Sequence, residues 1–192
     1  MKRSTVNEAC REAVNAFADN GWTLPPDPRW DVTDFGLGDF ERKGLVLINL
    51  AEEPEYCEKL MYAREKQETP AHTHRKKKED IICRRGKLCL QLWSGVPGEE
   101  TENASFELKV NGVFRNWVSG EILTLMSGER VTLVPGIYHR FWPEQGPAVI
   151  GEVSTANDDL HDNIFLDPEI GRFSAIEEDE PVVYSLVSDS KT

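Results

Sequence analysis

Three of the chain's four histidines fall in two short stretches whose spacing reads as one metal cage. The first stretch is His72-Thr73-His74, followed by Arg75-Lys76-Lys77-Lys78, Glu79 and, further on, Gly86; the second holds Gly128 and Pro135-Gly136-Ile137-Tyr138-His139. Three imidazoles and one carboxylate (His72, His74, His139 and Glu79) form a nitrogen-rich donor set suited to a divalent first-row metal such as Mn, Fe, Co, Ni or Zn. In octahedral coordination these four ligands leave two adjacent positions for water or substrate, which is an arrangement for catalysis rather than for structure. A lone histidine is ordinarily a surface or core residue; the joint pattern carries the metal reading.

Such a cage has to be built by strands. Residues two apart on a strand share a face, so positions 72 and 74 present both rings together. If 75–78 form a four-residue hairpin loop, His74 faces Glu79 directly across the ladder. The basic run then becomes a solvated hairpin tip, from which Lys77 is the residue able to fold inward. His139 follows the Pro135-Gly136 turn at the start of its own strand. A turn centred on Gln145-Gly146 pairs positions whose numbers sum to 291, making His139 and Glu152 cross-strand partners on one face. That register makes Glu152 the candidate general base beside the metal, against the plainer reading of a solvent-facing strand residue.

Composition bounds the rest. A chain of 192 residues is long enough for one domain with its own core. Its 22 Lys plus Arg against 34 Asp plus Glu give a net charge of −12, which argues against nucleic acid and anionic membrane as partners. The run Glu177-Glu178-Asp179-Glu180 reads as a solvated segment. Cys10, Cys57, Cys83 and Cys89 lack CxxC spacing and imply neither a disulfide framework nor a zinc knuckle. With no apolar run of membrane-spanning length and no signal-peptide core at the N-terminus, the expected location is the cytoplasm.

Residues 5–20 read as a helix, with a Thr5/Glu8 capping box, apolar positions at Val6, Cys10, Ala13, Val14 and Phe17, and a stop at Asn20-Gly21. Pro25-Pro26-Asp27-Pro28 is a stiff connector. Residues 1–30 are therefore an extension that must pack on the remainder. From residue 31 the pattern turns to short strands over 44–50, 59–64, 72–74, 81–83, 87–93, 105–110, 122–125, 130–134, 138–142 and 148–153, separated by turn-forming residues. The expected fold is all-β, a jelly-roll barrel with an N-terminal helical extension. The barrel occupies 31–180, with 155–180 wrapping back over its mouth, and 181–192 form a tail. Trp93, Phe141, Trp142 and Phe165 lie on or near the barrel and are read as core.

The histidine stretches resemble the two motifs of the cupin superfamily. His72-x-His74-x4-Glu79-x6-Gly86 follows the first motif, and Gly128-x6-Pro135-Gly136-x2-His139 the second. Lys66 stands where the first motif opens with Gly, Pro135-Gly136 replaces Pro-x-Gly, and Pro143 replaces a terminal Asn; none of these is a ligand position. A narrower resemblance, to the bacterial D-lyxose isomerases, runs through Glu58-Lys59-Leu60-Met61, Thr69-Pro70-x-His72-x-His74, Glu79-Asp80-Ile81-Ile82, the stretch from Glu152 through Asp158-Asp159 to Asp162-Asn163-Ile164-Phe165, and Gly171-Arg172-Phe173. It implies a manganese-dependent aldose–ketose isomerase acting on D-lyxose, with D-mannose as a second substrate and a homodimeric assembly. Under that reading Lys59 donates to a sugar oxygen or stabilises developing charge. Asp162 and Arg172 become candidates for contact with sugar hydroxyls, Asp162 also for a catalytic role.

The same ligands also serve a cupin dioxygenase holding iron, a non-catalytic metal- or sugar-binding cupin, or a sugar-phosphate isomerase. Oxygen consumption separates the first, loss of lyxose–xylulose conversion in the metal-loaded protein the second. The lack of a Gly-rich phosphate cradle or clustered inward Arg counts against the third.

Overall fold

The computed structural model describes residues 1–99, 104–155, 158, 161–171 and 175–190. Two antiparallel sheets face each other. The larger has the order β1 (Trp30–Thr33), β2 (Leu45–Glu52), β3 (Tyr56–Ala63), β12 (Ala148–Thr155), β5 (Glu79–Arg85), β10 (Arg130–Leu133), β7 (Ser105–Val110) and β8 (Val113–Val118). The smaller has the order β13 (Asn163–Phe165), β4 (His72–His74), β11 (Tyr138–Pro143), β6 (Lys87–Trp93) and β9 (Ile122–Met126). This is the expected jelly roll with its helical extension.

Strand alternation divides the apolar residues between two cores. Met61, Ile81, Leu88, Leu90, Leu125, Phe141 and Ile150 fill the space between the sheets. On β3 the intervening residues Leu60 and Tyr62 face the other way, where Val6, Cys10, Ala13 and Phe17 of helix α1 (Arg3–Asp19) cover them. The middle of the larger sheet is thus buried on both faces, and each large aliphatic side chain so buried contributes roughly 1.5–3 kcal/mol. Helix α1 ends at Asn20, and Gly21 adopts φ +78° just beyond it, as the Asn-Gly stop predicts.

The start of the helix differs from expectation. It begins at Arg3, its N-cap Lys2 makes no side-chain cap, and no Thr5/Glu8 box forms. Acceptors come instead from the C-terminal acidic run. The Arg3 amide donates to Glu177 O at 2.9 Å, and the Ser4 amide and hydroxyl donate to Asp179 at 2.9 and 2.7 Å. The Arg3 guanidinium donates to Glu178 at 2.7 Å. Carboxylates at a helix N-terminus satisfy its free amides and oppose its dipole, so this run is a docked strap rather than a merely solvated segment. The tail beyond it is also packed: Leu186 is buried, and the Trp30 amide donates to Ser185 O at 3.0 Å.

Two connections read as hairpins are not. The 75–78 connection leads from β4 in the smaller sheet to β5 in the larger, and the 144–147 connection leads from β11 in the smaller sheet to β12 in the larger. Gln145 and Gly146 both adopt positive φ and carry the chain round the barrel corner. The sum-291 register therefore does not exist. His139 pairs with His72 and Leu92, while Glu152 pairs with Lys59 and Ile81. Gly86, at φ +97°, lies at a second tight corner, where a Cβ would come within 2.8 Å of Pro147 O.

Strands β1, β8 and β13 lie beyond those expected. β1 and β8 are edge strands, and the exposed residues of β8 carry no burial alternation. β13 belongs to the C-terminal wrap, which joins the smaller sheet by pairing with β4.

Candidate active site

The histidines belong to the smaller sheet. His72 and His139 are direct partners across β4 and β11, and His74 lies two residues along β4 on the same face. Their ring centroids are 4.2 Å (His72–His139), 5.2 Å (His72–His74) and 5.6 Å (His74–His139) apart. One nitrogen from each ring can be chosen so that all three lie within 4.8 Å of one another. The Nδ1 atoms of His72 and His139 sit 2.9 Å from Pro70 O and 3.3 Å from Ile137 O. A carbonyl only accepts, so Nδ1 carries the proton in each ring and the Nε2 lone pair is left for a ligand. Phe165, the partner of His72 on its other flank, packs its ring 5.3 Å away and helps fix the imidazole plane.

The facing wall comes from the larger sheet. Glu79, on β5, reaches across so that Oε1 lies 3.1 Å from His139 Nε2 and 3.3 Å from His74 Nε2. Glu79 thus joins the histidines as the spacing predicts, but from the opposite sheet and not across a hairpin. Beside it, the Lys77 ammonium lies 2.8 Å from Glu79 Oε2 and 2.9 Å from Glu152 Oε1, and Lys59 Nζ lies 3.6 Å from the same Glu152 oxygen. All four side chains are buried and line one cavity with the three histidines. Leu45, Leu47, Met61, Phe35, Phe141 and Phe165 supply its apolar walls.

Lys77, the residue of the basic run that the sequence allows to fold inward, does so and joins the cavity wall. Its signal was parity: it precedes Glu79 by two, and on an extended chain it shares the Glu79 face. Asp162 does not line the cavity; its carboxylate accepts from the Lys76 and Lys77 amides, each at 2.9 Å. Arg172 lies outside the described residues. Of the four aromatics, Phe141 and Phe165 reach the cavity, whereas Trp93 and Trp142 pack on the outer face around Arg140.

The electrostatics favour a cation between the walls. Shielding from water, together with the neighbouring His139 and His74, pushes the His72 pKa well below its ordinary value, so the ring is neutral. Burial opposes ionisation of Glu79, but the Lys77 ammonium outweighs it and holds the carboxyl well below the usual carboxylate range. Burial likewise opposes the charge on Lys77, and Glu79 with Glu152 outweighs it and raises the lysine pKa. Both ring nitrogens of His74 and Oε1 of Glu79 are buried without a hydrogen-bond partner among the described residues. Orphaned polar atoms in a protein interior are costly. Here His74 Nε2 and Glu79 Oε1 converge with the Nε2 atoms of His72 and His139, while His74 Nδ1 lies 3.9 Å from Asp162 Oδ2, and this donor set fits a divalent metal. The other wall offers a carboxylate and two ammonium groups, the equipment for moving a proton and balancing the charge that results.

The D-lyxose isomerase family model matches residues 27–190. The chain is 35% identical to the D-lyxose/D-mannose isomerase of Escherichia coli O157:H7, with 98% of each chain covered. It is 37% identical to the protein of the same name from Serratia proteamaculans, covering 97% of this chain and 96% of the relative. Against the D-lyxose ketol-isomerase of Cohnella laeviribosi the identity is 31%, over 94% of this chain and all (100%) of the relative. Among solved structures, Cellulomonas parahominis L-ribose isomerase with L-ribose superposes with a TM-score of 0.70 at 18% identity, covering 92% of this chain and 98% of that one, and shares the fold. The chain belongs to the D-lyxose isomerase family and is an aldose–ketose isomerase of sugars.

Proposed function

We propose that the protein interconverts D-lyxose and D-xylulose, with D-mannose and D-fructose as a second pair, using Mn2+ held by His72, His74, Glu79 and His139. The observation that carries this reading is the pairing of two walls. Three imidazoles and an orphaned carboxylate oxygen face a buried Lys77–Glu152–Lys59 group across one cavity.

Isomerisation moves one hydrogen between C1 and C2 of an open-chain sugar. A bound divalent cation would polarise the carbonyl and acidify the adjacent hydroxyl. Glu152 takes the proton from one carbon and returns it to the other. Lys59 and Lys77 donate to the sugar oxygens on which negative charge develops, and their burial makes that interaction stronger than it would be in water. The apolar walls exclude competing water. Arg172, carried in the C-terminal wrap, contacts sugar hydroxyls under this reading.

The assembly we infer is a cytoplasmic homodimer. No helix among the described residues is long and apolar enough to cross a membrane. Phe114 on β8 and Ile122 and Met126 on β9 are exposed on edge strands that a second copy would cover.

The test is to strip the protein with a chelator, restore Mn, Co, Ni or Zn singly, and screen free aldoses and ketoses. Interconversion of D-lyxose and D-xylulose, strongest with Mn and without oxygen uptake, is the expected result. Metal-loaded protein that converts none of these sugars would overturn the reading.

A further inference from the structure

We propose that Asp162 is a positioning residue, which holds Lys77 between Glu79 and Glu152 by gripping the backbone of the 75–78 connection. Four successive amides of that connection donate to one strip of chain. Arg75 N donates to Asp162 O at 3.1 Å, Lys76 N to Asp162 Oδ1 at 2.9 Å, and Lys77 N to Asp162 Oδ2 at 2.9 Å. Lys78 N donates to Thr155 Oγ1 at 3.1 Å, and Thr155 N returns a bond to Lys78 O at 3.0 Å. Both Asp162 carboxylate oxygens therefore serve the main chain of the connection, Oδ2 lying also 3.9 Å from His74 Nδ1, beyond hydrogen-bond reach, and the side chain is buried outside the cavity wall.

The need for such a grip follows from the topology. The connection crosses from β4 to β5 between opposite sheets, so no ladder fixes its backbone until Lys78 meets Thr155 of β12. Yet it carries a lysine whose ammonium must meet two buried carboxylates at 2.8 and 2.9 Å. A carboxylate accepting from two consecutive amides forms charge-assisted hydrogen bonds, stronger than neutral ones, and it ties the Lys76–Lys77 peptide to the strip that runs into β13. Asp162 thus acts through Lys77 and not on the sugar.

This inference rests on the isomerase reading for its kinetic arm only. Asp162→Ala should lower kcat for D-lyxose by roughly 30–100-fold, with KM changed less than about twofold and metal content intact, since a misplacement near 1 Å costs about that much. Asp162→Asn, which keeps one accepting oxygen, should recover part of the loss. In a Lys77→Met background the Asp162→Ala change should alter kcat by less than about twofold, because the two residues act as one unit. Full additivity, or a rise in KM alone, would overturn the proposal in favour of direct sugar contact.

A second arm needs no turnover. Native protein is exposed to an amine-acetylating reagent and the sites are read by mass spectrometry. Lys77 should be protected in the parent protein and labelled at least ~10-fold faster in Asp162→Ala through local opening, with Lys59 unchanged. Unaltered Lys77 labelling in a folded Asp162 variant would sink the proposal even if the protein proves inactive on every sugar tested.

Discussion

Lys59 and Glu152 are direct partners across β3 and β12, with Nζ 3.6 Å from Oε1 and both side chains nearly out of contact with solvent. Glu152 is thereby fixed on the wall opposite the imidazoles, close to them but outside their cluster.

Replacing Glu152 with Gln preserves shape and a hydrogen-bond acceptor for both lysines but removes the proposed base. Turnover should fall by roughly 10²–10⁴-fold, the usual worth of a positioned acid–base group, while metal content stays unchanged. Steady-state kinetics with elemental analysis of the same sample checks this; near-normal kcat would remove Glu152 from the proton transfer.

Lys77→Met takes the ammonium partner from buried Glu79 and leaves Glu152 with Lys59 alone. Removing one partner from a buried ion pair costs about 3–5 kcal/mol, and that loss should appear in urea unfolding at neutral pH. Glu79 carries a folded-state pKa held below its ordinary value, first against burial and then by Lys77. Its contribution is therefore present above the ordinary carboxylate range and is lost as pH falls through the depressed value. In the variant Glu79 can take up a proton more readily, so the stability gap from the parent should narrow from pH 7 to pH 4. A gap independent of pH would mean the lysine acts through packing alone.

Three thiols supply an alkaline signature. Burial pushes Cys10 up to about 12, and Cys57 and Cys83 up to about 11. A folded-state pKa above the unfolded one means full stability below pH 9, lost as pH rises through 11 to 12. Denaturant midpoints should accordingly fall between pH 9 and 12. At pH 8 Ellman's reagent should find these thiols inert in native protein and reactive after unfolding; fast stoichiometric reaction of the native form would contradict their burial.

Arg3→Ala releases the C-terminal strap from the start of helix α1. The buried guanidinium bridges Glu178 at 2.7 Å and Asp189 at 3.2 Å. Its loss should lower the thermal midpoint by a few degrees and speed proteolysis beyond residue 175, with kcat unchanged. Reduced kcat at full metal loading would show that the strap communicates with the cavity.

How much of this was legible in sequence depends on which physical signal each residue carried. His72, His74 and their shared face follow from strand parity alone, and the two-residue offset of Lys77 from Glu79 follows the same rule. The partners across the cavity were not legible, because a short connection between two strands looks the same whether it closes a hairpin or turns a barrel corner. The Glu144-Gln145-Gly146-Pro147 turn has the composition of the former and is the latter. The sum-291 register that points to Glu152 does not exist, yet Glu152 reaches the cavity because both β11 and β12 present alternate residues to the space between the sheets. The capping box failed for a related reason: its competitor, the Glu177–Glu180 run, lies at the far end of the sequence, and no local pattern reports it.

The division of the three imidazoles and Glu79 between the sheets has a consequence for how the molecule can come apart. No hairpin, strand pair or single sheet holds both the imidazoles and the carboxylates. Any slippage of one sheet over the other breaks His74 and His139 from Glu79 in the same motion. A partly melted barrel that keeps its active centre is thus not an available state, and heat should extinguish activity and sheet packing together, as one event.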